Sequence, residues 1–386
     1  MTPAKRVIIV GGGLAGLAAA TGLATRGHAS TLFESRPRLG GRAGSFHDHG
    51  RDEWIDHCQH VSLGCCTNLS WLLEQVGLDD RLRRDHTLNF VAPPSNRSPA
   101  TIHQLRAGPW PAPFHLLPAL GRLGFLDRSQ RRELRRGLIA LARGDGGADE
   151  PFESWLLQHG QSRPTIDHFW QVILVSALSE TLDRIAVSHA RHVFVTGFLG
   201  HRRGWELQVP SVSLEELYGV DLRDWLTDHD VTLHTATGVR RVVLDGDHVV
   251  GIELRDGQQV PAEHVILAVP HHRLADLLPG DLLGHPLLDG LDRIETAPIA
   301  AVHFWLDRPF TKLPHAVLVG RLGQWMFRRP AGEDGDDYVQ VVISAARHVV
   351  GRDREKVIAE VLGELREIWP VAGSATVRRS RLVIEH

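Results

Sequence analysis

Cysteine is scarce in this chain of 386 residues: there are three, Cys58, Cys65 and Cys66, crowded into one short stretch. An odd, clustered set cannot form the paired framework of a disulfide-stapled domain and fits a reducing compartment. No apolar run approaches the roughly 18–20 residues of a membrane-spanning helix. The N-terminal apolar run Val7–Val10 passes straight into glycines, unlike a leader peptide. A cytoplasmic location follows as the expectation, with any membrane contact peripheral, on the inner face. Charge of one sign is not in excess either. With 43 Lys and Arg against 46 Asp and Glu the formal net charge is −3, so no overall field draws the chain to nucleic acid. No internal repeat is evident. Hydrophobic residues at 42% and charged ones at 23% are ordinary for a globular protein, and the length suits two domains.

What is present begins with a βαβ pattern. Val7-Ile8-Ile9-Val10 is the continuous apolar run of a parallel strand covered on both faces. Leu14 to Arg26 is rich in Ala and Leu and stops at Gly27, as a helix does. A second strand spans Ser30 to Phe33 and ends in Glu34. Further on, strands are expected at Val231–His234, Val239–Leu244 and Val249–Leu254, with turns at Asp245-Gly246 and Asp256-Gly257. These read as a β-meander. Glu263 to Pro270 then supplies a buried strand that returns to the first domain. Between these pieces, residues 89–203 carry prolines, tryptophans and helix-like segments, with a linker expected at Gly144-Asp145-Gly146-Gly147.

Gly11-Gly12-Gly13-Leu14-Ala15-Gly16 satisfies G-x-G-x-x-G between a strand and a helix, the context that gives this motif its meaning. Gly11 permits the tight turn, Gly13 the approach of a pyrophosphate, and Gly16 the close packing of helix on strand. Leu14 and Ala15 open the helix whose N-terminus receives phosphate. Glu34 is positioned to accept hydrogen bonds from an adenosine ribose and to repel a 2′-phosphate. Ser35-Arg36-Pro37-Arg38-Leu39-Gly40-Gly41-Arg42 follows. Its paired glycines admit a second stretch of ligand, and Arg42 can pair with phosphate. The extended pattern resembles the amine oxidase and phytoene desaturase superfamily of flavoproteins. That resemblance implies FAD, with Ser35 and Arg36 beside it, Val239 against the adenine, and Val265–Pro270 near the flavin.

Asp56-His57-Cys58-Gln59-His60-Val61, then Leu63-Gly64-Cys65-Cys66-Thr67, sets titratable side chains among apolar ones. The segment reads in three ways: satisfied core residues, a metal site, or a flavin-facing wall. The cysteine and histidine spacings match no established zinc pattern, so no metal is expected. With Phe169-Trp170, Leu174–Leu178 and Glu180, the segment resembles the hydroxysqualene dehydroxylases of hopanoid synthesis, a squalene-associated branch of the superfamily. Cys58 stands where that family more usually has glycine. The resemblance implies Gln59 and His60 along the flavin with Asp56 orienting them, and hydride transfer from reduced FAD to a C30 allylic alcohol. It also implies association with squalene-synthase-like enzymes of the same pathway. A general acid is then needed, and His60, Asp56 and Glu180 are the candidates.

A long-chain isoprenoid substrate needs an apolar tunnel. Trp110, Phe114, Phe125, Trp155, Phe169, Trp170, Phe194, Phe198 and Trp205 are the candidates to line it. The apolar, proline-broken stretch Trp110–Leu126 is followed by Arg128, Arg131, Arg132, Arg135, Arg136 and Arg143. That pairing suits peripheral contact with an anionic membrane, or equally a solvated helix face.

The expected fold class is α/β: a Rossmann-like FAD-binding domain with a β-meander, interleaved with an inserted α+β substrate domain. The first domain is expected at 1–88 and 204–275, the second at 89–203 and 276–375. Superfamily members close the cofactor site with a C-terminal Gly-Asp segment, and 376–386 is expected to be the start of a truncated return to the first domain. Three other functions fit the same fingerprint: a carotenoid-type desaturase, with hydride moving from substrate to FAD, an amine oxidase, and a non-catalytic isoprenoid-binding protein.

Overall fold

The computed structural model describes residues 6–49, 52–94, 99–329 and 335–385; His386, the end of the last expected strand, lies outside them. The chain divides into two compact units. The first comprises Met1–His57, Thr67–Arg83 and Pro210–Thr296, and the second Cys58–Cys66, Arg84–Val209 and Ala297–His386.

The first unit is built on a parallel sheet. Strand β1 (Val7–Val10) leads into helix α1 (Leu14–Ala24) and then β2 (Ser30–Phe33). In the sheet, Val231–His234 lies beside β2, β2 beside β1, and β1 beside His264–Leu267, all parallel. Side chains alternate along each strand. Ile9 and Leu32 pack with Leu17 of α1 on one face. Ile8, Val10 and Phe33 pack with Val239 and Ile252 on the other. Each such buried aliphatic contributes about 1.5–3 kcal/mol. Helix α1 ends two residues before the expected Arg26, because the amide of His28 reaches the Leu23 carbonyl around Gly27 at φ 75°, closing the helix early.

The meander consists of Val239–Asp245, His248–Leu254 and Gln259–Pro261, antiparallel throughout. The expectation that Val231–His234 belongs to it is corrected: that strand is the edge of the parallel sheet, in register with β2. Its alternation was read correctly, but alternation alone does not choose between two sheets.

The second unit centres on a seven-stranded sheet in the order Val377–Glu385, Ile299–Leu306, Asp337–Ile343, Trp325–Arg329, His315–Leu318, Leu88–Ala92, Thr101–Leu105. Its pairs are antiparallel apart from His315–Leu318 with Leu88–Ala92. Val341, Met326 and Leu318 face one side, packing with Val357, Val361 and Leu365 of the helix Arg354–Ile368. Val342, Phe327 and Val317 face the other, against helices drawn from 116–199.

The boundary expectations shift. Residues 276–296 stay with the first unit, and Cys58–Cys66, 84–88 and 204–209, all expected in the first domain, fold with the second. The stretch expected to begin a return to the first domain is instead an edge strand of the second unit's sheet, paired from Val377 to Glu385 with Ile299–Leu306. Its apolar alternation is satisfied there by Leu382, which is buried with Val302 and Phe304. Nor is Gly144–Gly147 a domain linker. Gly144, at φ 82°, caps the helix Arg128–Arg143 within the second unit.

Candidate functional site

The glycine fingerprint forms a cradle at the end of β1. The Gly11 amide donates to the Phe33 carbonyl at 2.8 Å, and Gly11 holds φ 109°, where a Cβ would lie 2.4 Å from the Ala268 carbonyl oxygen. A Cβ on Gly16 would stand 1.9 Å from the Gly11 carbonyl oxygen. Both glycines are therefore demanded by the protein itself. Gly13 is different: its nearest neighbour would be the Gly41 Cα at 3.9 Å. The space above it is open.

Gly13 and Gly40 bridge as parallel strands, and the Gly40 amide donates to the Gly12 carbonyl at 2.8 Å. The two loops thus meet backbone to backbone, with Gly40 at φ 94° and Gly41 at φ 62°. Helix α1 starts at Leu14 with neither a side-chain cap nor an acidic residue in its first turn. Its leading amides, at Leu14 and Ala15, suit an anion. Arg42 is exposed beside them in sequence and makes no ion pair among the described residues.

Glu34 is buried, at 8% exposure. One carboxylate oxygen accepts the Gly12 amide at 2.7 Å, and the other accepts the Arg36 amide at 2.7 Å and the Ser35 hydroxyl at 3.2 Å. The carboxylate therefore shapes the loop as well as setting its charge, a role that sequence spacing did not disclose. Ser35 and Arg36 are exposed, and Val239 is buried where the meander begins. An open glycine, an uncapped helix start and a buried carboxylate suit a dinucleotide whose ribose carries no phosphate.

Asp56 also lies in the first unit. Its carboxylate accepts the Ser45 hydroxyl at 2.7 Å and the Leu214 amide at 2.9 Å, which ties three chain segments together. His57 stacks on Phe46. The next residue, Cys58, opens the wall of a cavity contained wholly in the second unit.

That cavity measures about 300 Å³, at the lower end of the roughly 300–1,000 Å³ of ligand pockets. The segment Cys58–Leu63 and Cys66 form one side. Leu116, Leu120 and Leu138, with Phe169, Phe194 and Phe198, form another. The sheet supplies the rest through Phe90, Val317, Trp325, Phe327 and Val342. His60 and Gln59 both line it; Asp56 and Glu180 do not. The His60 Nδ1 lies 2.9 Å from the Cys58 carbonyl. A carbonyl only accepts, so Nδ1 carries the proton in that contact.

Glu180 is engaged elsewhere. It receives the Arg347 guanidinium at 2.5 and 2.6 Å, the Thr181 amide at 2.9 Å and a longer contact from Arg184. Burial alone would raise its carboxyl, but the Arg347 hydrogen bonds, the Thr181 amide and the two cationic charges hold it below the ordinary value. It is a poor acid at neutral pH.

Of the nine aromatics expected to line a tunnel, Phe169, Phe194 and Phe198 line this cavity. They sit on π-helical turns at Ile166–Trp170 and His192–Leu199. Trp155, Trp170 and Trp205 are instead fully buried core, Trp110 and Phe114 are exposed, and Phe125 packs on Phe90. The sheet wall was missed because it is distant in sequence; its signal was the alternation in Trp325-x-Phe327. Among the described residues no three His, Cys, Asp or Glu side chains converge as metal ligands.

With this geometry in hand, the comparisons with known proteins are specific at the family level. Residues 14–383 match the model for flavin containing amine oxidoreductases. The chain is similar to 15-cis-phytoene desaturase of Synechococcus elongatus, at 24% identity over 95% of this chain and 80% of that one. It is also similar to zeta-carotene desaturase of Zea mays, at 27% identity over 81% of this chain, spanning 57% of that longer protein. In fold it matches putrescine oxidase bound to putrescine, with a TM-score of 0.72, 18% identity, and coverage of 98% and 84% of the two chains. The chain belongs to the flavin-containing amine oxidoreductases, and it is an oxidoreductase whose cofactor is FAD.

Proposed function

We propose that this flavoprotein acts on a long isoprenoid, and that its reaction is the reductive dehydroxylation of hydroxysqualene to squalene. One observation carries the reading: an apolar cavity whose lining includes one imidazole, His60, and no carboxylate. A C30 hydrocarbon chain asks for apolar walls, and loss of its hydroxyl asks for one proton donor. The overall change is R–OH + H⁻ + H⁺ → R–H + H₂O. Reduced flavin, when bound, supplies the hydride. His60 Nε2 delivers the proton that leaves with the hydroxyl, its ring oriented by the Nδ1 hydrogen bond to the Cys58 carbonyl. Gln59, whose side chain reaches toward the His60 carbonyl at 3.4 Å, lines the same wall and holds the polar end of the substrate. The surrounding phenylalanines and leucines exclude water.

The named relatives favour a second reading, removal of hydride from a carotenoid precursor, for which the apolar walls alone would suffice. Product analysis separates the two. Incubation with hydroxysqualene under anaerobic reducing conditions should yield squalene, with one solvent proton recovered in the water released. Consumption of phytoene by the oxidised protein, with hydroxysqualene untouched, would replace our reading with the desaturase.

Access for such a substrate is proposed from an anionic membrane surface. Trp110, Phe114 and Leu117 are 59%, 55% and 48% exposed, while Leu116 and Leu120 of the same segment line the cavity. Arg122, Arg128, Arg132, Arg135 and Arg136 are exposed nearby in sequence and make no ion pair among the described residues. Apolar anchors beside uncompensated cations suit an anionic lipid surface. No helix among the described residues is long and apolar enough to cross a membrane.

A further inference from the structure

Between Gly108 and Gly121 a single layer of chain separates the apolar cavity from solvent. Leu116 and Leu120 line the cavity, while Trp110, Phe114 and Leu117 of the same stretch are exposed. We propose that this stretch is a gate for apolar substrate, that Arg202 latches it, and that the phosphodiester of an anionic lipid opens it by taking the Arg202 guanidinium. As a consequence of docking, the gate rests on the membrane reading above; as a latch within the second unit, it is testable without a membrane.

The two ends of the stretch are held differently. At the near end, Arg202 Nη1 donates to the Pro109 carbonyl at 2.9 Å and to the Trp110 carbonyl at 2.9 Å. The Gly108 amide closes the neck by donating to the His115 carbonyl at 2.7 Å. At the far end, Arg131 donates to the Gly121 and Leu126 carbonyls, both at 2.8 Å. Arg131 is half-buried, whereas Arg202 is exposed and makes no ion pair among the described residues. The backbone of Arg202 is fixed, because its carbonyl accepts the indole N–H of the buried Trp205 at 3.0 Å. Its side chain is therefore the movable part, clasping the gate beside the exposed Trp110.

The acceptors that Arg202 now holds are neutral carbonyls. A phosphodiester takes the same guanidinium through paired, charge-assisted hydrogen bonds, roughly twice as strong as neutral ones. His201 and Arg203 flank Arg202 and are also exposed, so the local field favours an anion. In water, opening would bring the buried Leu116 into contact with solvent, which keeps the gate shut. At a lipid surface, Trp110, Phe114 and Leu117 enter the interfacial layer as the stretch swings about its far end. Lipid phosphate thus releases the latch where an apolar substrate is at hand.

Uptake of Nile red, an uncharged apolar dye that brightens on leaving water, tests the latch in the FAD-loaded full chain. In vesicle-free buffer Arg202→Gln should take up the dye about tenfold faster than the wild type, the effect of losing two ordinary hydrogen bonds. Arg202→Lys, which keeps the charge but loses the fork, should also be faster. Both variants should keep the wild-type FAD content and far-UV spectrum. Dihexanoyl phosphatidylglycerol below its micelle concentration supplies the phosphodiester without a membrane. It should speed the wild type toward the Arg202→Gln rate and leave Arg202→Gln unchanged. Equal uptake by the wild type and Arg202→Gln, or equal acceleration of both by the lipid, overturns the latch. The same acceleration by inorganic phosphate at equal ionic strength overturns the assignment to lipid. Co-sedimentation with phosphatidylglycerol vesicles is measured alongside. Vesicle binding with no change in dye uptake removes the latch and leaves the membrane reading; the predicted uptake rates without vesicle binding support the latch and remove the membrane reading.

Discussion

Gly13 and Gly16 sit three residues apart, yet different things constrain them. A methyl group on Gly16 would collide with the Gly11 carbonyl at 1.9 Å, whereas one on Gly13 would meet protein only at 3.9 Å. Gly16→Ala should therefore push α1 off β1 and lower stability by about 1–3 kcal/mol, seen in thermal unfolding of the apoprotein. Gly13→Ala should leave that unfolding unchanged and weaken FAD binding at least about tenfold, the equivalent of about 1.4 kcal/mol, seen by flavin titration. If both variants melt alike and bind alike, the assignment of Gly13 to the phosphate is wrong. His60 is expected to matter to chemistry rather than to folding. His60→Gln should retain flavin and lower turnover by about 10²–10⁴-fold, the range for a positioned acid. These residues differ in how legible they were. The turn made by the glycines and Glu34 could be read from spacing because it is local. Asp56 and Glu180 were grouped with His60 by proximity to a motif or by resemblance, and only the fold reveals their separate engagements with Ser45 and Leu214, and with Arg347.

At the scale of elements, the Glu180–Arg347 pair joins the end of the helix Gln171–Leu178 to the turn Ala346–His348. Since the folded carboxyl lies below its ordinary value of 4.5, its stabilisation is fully present above that pH. It is lost as pH falls through the lower folded value. Glu180→Gln should cost about 1–2 kcal/mol at pH 7, modest because Arg347 is 33% exposed. The difference from wild type should shrink in denaturant titrations below pH 4.5; a constant difference would remove the ion pair as its cause. The segment around Trp110–Leu117 offers a second element-level expectation. Co-sedimentation with anionic vesicles should fall at least about tenfold in a Trp110→Ser, Phe114→Ser double variant and weaken with salt. Equal binding to neutral vesicles, or none to anionic ones at low salt, would leave the arginines as a solvated helix face. The strands and α1 were readable here because their periodicities are local. The allotment of Val231–His234 and Val377–Glu385 to their sheets depends on partners far away in sequence.

For the whole molecule, the family is shown by the match over residues 14–383, while the direction of hydride flow is the central proposal. The sequence pointed to FAD and to an apolar substrate domain. It could not reveal that strands at 88–92, 315–318, 325–329 and 337–343 complete the cavity wall, because a cavity is a property of distant segments brought together. The apolar lining alone does not choose between a C30 alcohol and a carotenoid precursor, so the flavin spectrum is the most direct arbiter. In an anaerobic stopped-flow experiment, protein with photoreduced FAD should regain the oxidised flavin band on mixing with hydroxysqualene, with squalene formed in equal amount. Protein with oxidised FAD should keep its band when mixed with phytoene. Bleaching of the oxidised band by phytoene, with no response of the reduced protein to hydroxysqualene, would contradict the account.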